Sequence, residues 1–335
     1  MSLIIPENYK SNLNGRETEK AIKFIKDTFQ HEIISALNLQ RISAPLFVRP
    51  ETGLNDNLNG VERPVSFDAP CIGGATLEIV HSLAKWKRMT LGRYGFNPGE
   101  GLYTDMNAIR RDEEVDNLHS MYVDQWDWEA VINKSDRTVE TLKSLVERIY
   151  TAMKSTQSRV CQKFSGIENN FPEEITFITT QELEDMYPDL EPKERENKLL
   201  REKKAVFLMQ IGKELKSGQR HDGRAPDYDD WELNGDILVY YPVLDMAYEL
   251  SSMGIRVDED SLLSQIKIAG CEDRLELDFH KKLLNKELPY TIGGGIGQSR
   301  LCMYMLGKAH IGEVQASVWP DDMRKTCEEK GIKLL

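Results

Sequence analysis

Residues 101–129 combine two strand-like runs with a charged segment that is suited to binding phosphate. Residues 102–109 and 121–128 are rich in side chains that favour strands, and Arg110 begins the charged segment between them. This pattern predicts a hairpin with a polar tip. An arginine at the end of a strand offers paired donors that match phosphate oxygens, although a surface hairpin with solvated charges explains this stretch equally well. Features elsewhere in the sequence are needed to distinguish a phosphate-binding arginine from a solvated surface hairpin.

The chain has the composition of an ordinary globular protein, with 29% charged and 40% hydrophobic residues in a length of 335. That length is sufficient for a sizeable core in one large domain or two smaller ones. A formal net charge of -12 argues against a protein that grips a nucleic-acid backbone, since such proteins usually carry a basic face. We therefore expect no nucleic-acid partner.

The sequence also argues against membrane insertion and against disulfide bonds. No apolar run approaches the roughly 18 residues that span a bilayer, and the apolar stretch at the N-terminus is too short for a signal peptide. We therefore expect a cytoplasmic protein without membrane partners. The five cysteines are scattered and never form a CxxC pair, so we interpret them as reduced thiols rather than disulfide or zinc ligands.

Two long segments, residues 17–37 and 138–164, have apolar residues at three- and four-residue steps and predict amphipathic helices. A strand-like run at 39–48 follows the first helix, and Pro45 interrupts it, so this strand should lie at a sheet edge or pair only in part. Residues 165–203 mix loops with short acidic helices and suggest an insertion on the outside of the core.

Residues 49–60 are rich in Gly, Asn and Asp and predict a loop, in which the default role of Asp56 is an Asx-turn. A strand is predicted at 77–80. The helix that follows has Ser82 as a plausible N-cap and Gly92 as a plausible end.

Two lysines of that helix are candidates for a binding cleft. Lys85 and Lys87 fall on different faces, so at most one of them points into any given cleft.

The C-terminal half predicts strands at 205–211 and 237–243, helices at 260–268 and 272–286, and a glycine-dense strand that runs into an apolar helix near 291–307. Residues 220–236 form a loop dense in ionisable groups, either solvated or at the rim of a site. Glu249 and Arg256 are seven residues apart, and a bulge between Ser251 and Gly254 would turn both charges toward one cleft.

The glycine-dense strand matches no common nucleotide-binding motif. Arg300 stands where a GxGxxG fingerprint starting at Gly295 needs its last glycine, and the GKS or GKT of a P-loop is missing. Glycines at such a strand end let a backbone approach a flat ligand closely.

Three segments resemble the signature motifs of class II aminoacyl-tRNA synthetases: the long helix and strand ending at Pro45, the hairpin at Arg110, and GGGIGQSR with Arg300 at its end. The segments HSLAKWKR, GEGLYT, YVDQWDWE, RAPDYDDW, LNGDILV, ELSSMGIRVD and TIGGGIGQSRL narrow this resemblance to the ammonia-dependent asparagine synthetases, or aspartate-ammonia ligases. This family is a relative of the aspartyl- and asparaginyl-tRNA synthetase cores. The resemblance implies synthesis of L-asparagine from L-aspartate, ammonia and ATP through a β-aspartyl-adenylate, with release of AMP and pyrophosphate.

The resemblance also implies residues that handle the nucleotide. Arg110 would bind the α-phosphate and Arg300 the distal phosphates, in keeping with the need to neutralise charge on phosphoryl oxygens. Asp236 and Glu249 match the acidic pair that holds Mg²⁺, a hard cation that takes oxygen ligands.

For the amino acid, the resemblance implies that Lys87 and Arg256 bind the carboxylate that does not react. The residues expected beside this pair are Ser82, Gln125, Asp127, Arg224 and Ser252. Because this reaction activates the β-carboxylate, whereas a tRNA synthetase activates the α-carboxylate, we expect the amino acid to lie reversed or shifted.

Ammonia is mostly ammonium at neutral pH, so it must be captured as a cation and deprotonated, and a carboxylate suits both tasks. Asp56 and Asp230 match aspartates near the family's site. We expect Asp56 to contact the incoming ammonia or the α-amino nitrogen.

Two other functions are open at this stage. A tRNA synthetase for aspartate or asparagine would need an anticodon-binding module of roughly 100 residues, usually a small β-barrel, for which the chain has no room. A regulatory paralogue that binds aspartate or adenylate without turnover is less well supported, because all the expected ionisable residues are present.

For the fold we expect an α+β architecture, with a mainly antiparallel sheet of about six to eight strands flanked by helices, as in class II synthetases. One catalytic domain should span residues 1–335, with an inserted helical segment near 133–203. The alternation of segments supports a mixed fold, whereas the antiparallel arrangement and a homodimer built on the Pro45 motif are implied by the resemblance.

Overall fold

The computed structural model describes residues 3–56, 58 and 62–335, and its centre is an eight-stranded sheet in the order β1-β5-β6-β11-β10-β9-β8-β7. A second sheet has the order β2-β4-β3. The strands are β1 (Leu39–Arg41), β2 (Phe47–Val48), β3 (Ser66–Ala69), β4 (Ala75–Ile79), β5 (Gly101–Ile109), β6 (Tyr122–Val131), β7 (Thr176–Thr179), β8 (Ala205–Met209), β9 (Asp229–Tyr241), β10 (Met246–Arg256) and β11 (Thr291–Gly297).

The large sheet is mainly antiparallel, as expected, but it is a mixed sheet. Its two edge pairs, β1 with β5 and β7 with β8, are parallel, and the pairs between them are antiparallel. Parallel neighbours need a crossover connection, which β7 and β8 obtain through two helices. The edge position of β1 also confirms the prediction made from Pro45.

The described residues also form nine α-helices. They are α1 (Gly15–Leu37), α2 (Ala84–Tyr94), α3 (Val139–Lys163), α4 (Thr180–Met186), α5 (Pro192–Lys203), α6 (Glu259–Ala269), α7 (Asp278–Leu284), α8 (Gln298–Leu306) and α9 (Asp321–Glu329). Helix α1 begins with a capping box in which Asn14 accepts from the backbone of Glu17, and it ends at Asn38 in the left-handed conformation.

Alternation along β6 separates the core from the opposite face of the sheet. Trp126 and Trp128 are buried in the largest apolar cluster together with residues of α1 and α3, and Trp126 lies 4.8 Å from the ring of Phe29. Because successive strand residues point to opposite faces, Gln125 and Asp127 face away from this core. The helix-covered face therefore contributes stability, and the other face is available for polar side chains.

Most predicted elements are confirmed, with shifted ends. The helix predicted to begin with Ser82 begins at Ala84, with Leu83 in the N-cap position, and it continues past Gly92 to a left-handed Gly95. The strand predicted at 237–243 begins at Asp229. Residues 272–286 form a 3-10 turn followed by the short helix α7 rather than one helix. Of the loop predicted at 49–60, positions 57, 59 and 60 lie outside the described residues.

The segment at 133–203, expected as a helical insertion, contributes to both the core and the sheet. Helix α3 packs against α1 through buried apolar residues such as Val146 and Met153, and β7 extends the large sheet by one strand. Helices α4 and α5 cover β8 and β9 at that end through Leu183, Leu199 and Leu200. That this segment is an insertion stays a prediction.

No helix among the described residues is long and apolar enough to cross a membrane.

A buried histidine, His310, packs in the C-terminal part of the fold. His310 is fully buried, its ring lies 4.7 Å from that of Trp319, and its Nδ1 accepts a hydrogen bond of 3.0 Å from the backbone of Gly312. Burial lowers the pKa of His310 from 6.5 to about 4, since charge is disfavoured away from water.

The pKa of His310 predicts a pH dependence of stability. The unfolded chain takes up this proton near its ordinary pKa while the folded chain stays neutral, so the free energy of unfolding should fall as pH falls from about 6.5 toward 4. In His310→Asn, which keeps an acceptor for Gly312, this contribution is absent. Chemical denaturation at about pH 7 and pH 5 should show wild type losing about 2 kcal/mol more than the variant. Parallel losses would contradict the assignment.

Candidate active site

A cavity of about 450 Å³ opens on the sheet face opposite α1 and α3. Strands β6, β9, β10 and β11 provide its floor, and the turn after β5 and the loop before β9 provide walls. Each of these elements contributes polar side chains because the apolar residues of the same strands are used in the core. The predicted site residues that line it are Asp56, Ser82, Lys87, Arg110, Gln125, Asp127, Arg224, Asp236, Glu249, Ser252, Arg256 and Arg300.

Arg110 follows the last residue of β5, at the start of the predicted polar hairpin tip. Its backbone nitrogen donates to the carbonyl of Met121 at 2.8 Å, which holds the arginine at the mouth of the hairpin. The Nε atom is buried and has no hydrogen-bond partner among the residues the structure describes. Buried donors are usually paired, so this guanidinium is prepared for an acceptor from a ligand.

Arg300 enters the same cavity from helix α8. Its Nη1 donates to the backbone carbonyl of Glu249 at 3.1 Å and lies 3.5 Å from the carboxylate Oε2 of that residue. The guanidinium also lies 6.0 Å from the ring centroid of Tyr248. Arg300 is therefore held in place by β10 while one side of its guanidinium is accessible.

Asp236 and Glu249 form an acidic pair on adjacent strands. Burial and the charge of Glu249 raise the pKa of Asp236 to about 6, although Arg224, at 2.7 Å from Asp236, opposes the shift. Burial would also raise the pKa of Glu249, but the charges of Arg300, Lys193 and Arg224 outweigh it and lower that pKa. The pair thus shares negative charge that a cation would stabilise further.

A bulge in β10 explains why Glu249 belongs to this face. Glu249 pairs with Leu238 and Ser251 pairs with Ile237, so β10 has one more residue than β9 at this point. In a regular strand Glu249 would point away from Ser252, three residues later. The extra residue puts both in the cavity. The sequence predicted that a bulge turns Glu249 and Arg256 toward one cleft, but the predicted position between Ser251 and Gly254 is wrong, because the extra residue lies between Glu249 and Ser251.

Lys87 and Arg256 also line the cavity and are already paired. Lys87 Nζ donates to Asp127 at 2.6 Å and to the carbonyls of Trp128 and Gly294 at 2.9 and 3.2 Å. Lys85 of the same helix instead pairs with Asp227 at 2.9 Å, outside the cavity. The prediction that only one lysine of α2 enters the cleft is confirmed.

Arg256 is enclosed by two carboxylates. Its Nη2 lies 2.7 Å from Glu129 Oε2, its Nε donates to the same carboxylate at 2.9 Å, and its Nη1 donates to Asp229. Glu129 is also 3.7 Å from Lys87, and these charges hold the pKa of Glu129 below its usual value against the effect of burial. All four groups are buried, so each ion depends on its partners.

The glycines of β11 leave space for these side chains. A Cβ at Gly293 would collide with the Glu129 carboxylate and would lie 2.6 Å from the Trp128 carbonyl. A Cβ at Gly295 would collide with the Gln125 amide. Because β11 lies between β6 and β10, its bare backbone lets Glu129 reach across to Arg256.

Asp230 is the predicted site residue that does not line the cavity. Its carboxylate lies 2.7 Å from Arg137 Nη2 on the other side of β9, whereas its neighbour Asp229 faces the cavity and binds Arg256. Consecutive strand residues point in opposite directions, so only one of the two can face the ligand side. The structure places Asp229 there.

The remaining predicted residues occupy the wall formed by the loop after β2 and the start of α2. Asp56 forms the expected Asx-turn, because its Oδ1 accepts from the backbone of Leu58 at 2.9 Å. Ser82 Oγ accepts from the backbone of Ala84 at 3.1 Å. Both side chains also line the cavity, so these local roles leave them available to a ligand.

Comparison with known proteins gives the same interpretation over nearly the whole chain. Residues 16–331 match the family model described as aspartate-ammonia ligase. The chain is 69% identical to the aspartate--ammonia ligase of Ruminiclostridium cellulolyticum over 334 residues, which covers 100% of this chain and 99% of the relative. It is 65% identical to the enzyme of the same name from Clostridium tetani over 333 residues, with 99% and 98% covered.

The chain belongs to the aspartate-ammonia ligase family. The resemblance inferred from the sequence motifs is thereby confirmed.

The fold of this family member is that of class II synthetases. The chain is similar to an asparaginyl-tRNA synthetase of Entamoeba histolytica in complex with asparaginyl-adenylate, with a TM-score of 0.65, 12% identity, and coverage of 90% of this chain and 66% of that chain. Against the Pyrococcus horikoshii asparaginyl-tRNA synthetase the TM-score is 0.63 at 16% identity, with 91% of this chain and 70% of that chain covered. At these identities the likeness shows the fold alone.

Several residues that line the cavity, or that belong to the buried charged group beside it, were not predicted from the sequence of this ligase-family chain. Glu129 could have been found, because it shares the alternation of Gln125 and Asp127 in the quoted segment YVDQWDWE. Asp229 stands beside Asp230, and sequence alone does not say which faces the ligand. His81 gave no signal beyond its position next to Ser82, yet it is buried and lines the cavity.

Replacing Gly293 tests whether the bare strand is required by the charged floor. In Gly293→Ala the added methyl group meets the Glu129 carboxylate and the Trp128 backbone, so the free energy of unfolding should fall by about 1–3 kcal/mol. Gly15→Ala is the matched control, because a Cβ there meets no atom within 4 Å. Chemical denaturation measures both variants, and equal stability of the two would mean that Glu129 moves aside without cost.

Proposed function

We propose that this chain makes L-asparagine from L-aspartate, ammonia and ATP through a β-aspartyl-adenylate, and releases AMP and pyrophosphate. The observation that carries the proposal is a single cavity whose lining suits both substrates. Arg110, Arg300 and the acidic pair suit a nucleotide, and Lys87 with Arg256 suits a small amino acid. Membership of the aspartate-ammonia ligase family supports the same assignment.

Around the nucleotide, the arginines neutralise the triphosphate. A carboxylate attacks phosphorus only when the repulsion between the two anions is reduced, and guanidinium groups meet the charge that spreads over phosphoryl oxygens. Arg110, with its unpaired buried Nε, binds the α-phosphate at the reacting centre. Arg300 binds the departing pyrophosphate, and Arg224 holds Asp236 and Ser252 in place.

Asp236 and Glu249 suit Mg²⁺ in this proposal. Both present carboxylate oxygens, which are the ligands that this hard cation takes, and burial together with the neighbouring charge of Glu249 raises the pKa of Asp236. Within the described ranges no group of three or more His, Cys, Asp or Glu side chains is arranged to hold a metal. Asp236 and Glu249 would hold the ion, which would supply positive charge against the negative charge of the phosphate groups.

Around the amino acid, the site recognises a zwitterion. Arg256, which keeps one N–H group free on each Nη, binds the α-carboxylate, and Lys87, whose three N–H groups are already used, adds its positive charge. The Oδ2 atom of Asp127, which is buried and unpaired among the described residues, accepts from the α-ammonium. Asp229 replaces Asp230 in this part of the proposal, because it faces the cavity. Such fixed charges orient the β-carboxylate toward the α-phosphate without reorganisation during the reaction.

The chemistry then follows from the positions of these residues. A β-carboxylate oxygen attacks the α-phosphorus and pyrophosphate leaves, which gives an acyl group with AMP as its leaving group. Ammonia then attacks the acyl carbon, and the bond to the AMP oxygen breaks. Asp56, at the cavity wall, contacts the incoming nitrogen.

The activity is tested by incubating the purified chain with aspartate, ATP, Mg²⁺ and ammonium, and by measuring asparagine, AMP and pyrophosphate. We expect the three products in equal amounts and no requirement for tRNA. Charging of tRNA would instead indicate a synthetase, and binding without pyrophosphate release would indicate a regulatory paralogue. Removal of Mg²⁺ with a chelator should abolish pyrophosphate release.

Neighbouring aspartates provide matched variants for this assay. Asp229→Asn removes a charge that holds Arg256, so kcat/KM for aspartate should fall by about 10²-fold. Asp230→Asn weakens the buried ion pair with Arg137 outside the cavity, so it should lower the free energy of unfolding but change kcat/KM less than about threefold. The reverse ranking would place Asp230 in the site.

We also propose a homodimer that uses the small sheet and the chain around Pro45. Leu46, Phe47, Phe67 and Ile72 are exposed there to 49%, 43%, 41% and 36%, and the rings of the two phenylalanines contact each other at 5.4 Å. Adjacent exposed apolar side chains of this size mark an interaction surface.

A cytoplasmic location is part of the same proposal, and the free thiols of all five cysteines support it.

The dimer surface is tested by Phe47→Asp, which places a charge in the apolar patch. In sedimentation experiments at micromolar concentration, wild type should behave as a dimer and Phe47→Asp as a monomer. Ile268→Asp is the matched control, since Ile268 is 58% exposed on α6 and lies outside the patch. A wild-type monomer, or a Phe47→Asp dimer as stable as the control, would contradict the proposal.

A further inference from the structure

His81 and Asp56 meet at the cavity wall and are held there by a third side chain. The Oδ1 atom of Asn55 accepts from the backbone nitrogens of both residues, at 2.9 Å for His81 and 3.0 Å for Asp56. Asn55 Nδ2 donates to Glu78 Oε2 at 3.1 Å, which ties the group to β4. The relative position of the two side chains is therefore set by the fold.

The hydrogen bonds of His81 determine its tautomer. Its Nδ1 lies 3.1 Å from the backbone carbonyl oxygen of Asp56, and a carbonyl can only accept, so Nδ1 carries the proton. The Nε2 atom then carries a lone pair. It is buried and has no partner in the part of the chain that the structure describes, and the side chain is only 1% exposed.

Asp56 presents a second unsatisfied acceptor. Its Oδ1 is used by Leu58, whereas Oδ2 is buried and unpaired among the described residues. Burial raises the pKa of Asp56 above its usual value, and the negative charge of Asp227 raises it further. The positive charges of Lys85 and Arg110 oppose this shift. These charges come from α2, from the loop before β9 and from the turn after β5, the elements that face the carboxylate.

Two buried acceptors without partners are costly unless a ligand with several donors fills the space. An ammonium ion has four N–H groups and a positive charge that a carboxylate attracts. It cannot attack a carbonyl carbon while protonated, so a site for ammonium needs a base as well as a carboxylate.

We propose that His81 is a catalytic base of this enzyme: its Nε2 takes a proton from an ammonium ion held beside the Asp56 carboxylate. This rests on the function proposed above and adds a residue to it. The ammonium N–H bond breaks, its electron pair stays on nitrogen, and His81 becomes imidazolium. The lone pair of ammonia forms the C–N bond while the C–O bond to AMP breaks with its electrons on AMP. The amide nitrogen then loses a second proton to Asp56 and from there to solvent.

The decisive experiment compares ammonium with hydroxylamine as nucleophile in His81→Asn. The asparagine amide keeps a donor near the Nδ1 position for the Asp56 carbonyl, but it is not a base. Hydroxylamine is a weaker base than ammonia and is largely unprotonated at neutral pH, so it needs no deprotonation before attack. We expect kcat/KM for ammonium to fall about 10²-fold and kcat/KM for hydroxylamine to fall less than about threefold.

The pH dependence gives a second readout. In His81→Asn the rate with subsaturating ammonium should rise with pH, because free ammonia from solvent replaces the lost base, and the gap to wild type should narrow. Equal losses with both nucleophiles, or a gap that does not depend on pH, would show that His81 only supports the wall and would overturn the proposal.

Two controls distinguish a failure of this proposal from a failure of the proposed function and from a general effect of replacing a buried histidine. Aspartate-dependent exchange of pyrophosphate into ATP, measured without ammonium, should be unchanged in His81→Asn; its loss in wild type would contradict the proposed function itself. His221→Asn replaces another buried histidine, one that pairs with Glu196 at 2.8 Å outside the cavity. Whatever its rate, His221→Asn should keep the wild-type ratio between ammonium and hydroxylamine, and a changed ratio would count against His81.

Discussion

Arg256 carries its charge in the middle of a sheet, where water cannot solvate it. An ion in such a position costs several kcal/mol unless other charges surround it closely, and removal of one partner is more damaging than replacement of the whole group. Glu129 from β6 and Asp229 from β9 meet that requirement, and Lys87 from α2 in turn offsets part of the charge of Glu129. Since these residues come from separate elements, the register of three strands and the position of a helix must be correct together.

This constraint also explains the composition of the strand between them. Strand β11 separates β6 from β10, and side chains on its cavity face would keep Glu129 from Arg256. The glycines are therefore required by the ion pairs as much as by any ligand. The other face of the same strand carries Ile292 and Ile296 into the core, so one short segment serves packing and electrostatics at once.

The sequence predicted the parts of this structure that depend on local patterns. Helices α1 and α3 follow from apolar periodicity, the β5–β6 hairpin follows from two strand-like runs, and the site residues named from the family resemblance all line the cavity except Asp230. The choice between Asp229 and Asp230 could not be made, because β9 is irregular opposite Gly254 and Arg256 and its facing depends on the partner strand. The helix start was misplaced at Ser82 because its hydroxyl bonds to Ala84 in a local turn.

The bulge in β10 determines where this strand can change in length. In a regular stretch of strand, the loss of one residue moves every side chain on one side of the deletion to the opposite face. At the bulge the result is different: without Leu250, Glu249 and Ser252 would be two residues apart in a regular strand and would still share the cavity face. The bulge is therefore a position at which a one-residue difference in strand length leaves the acidic pair facing the cavity.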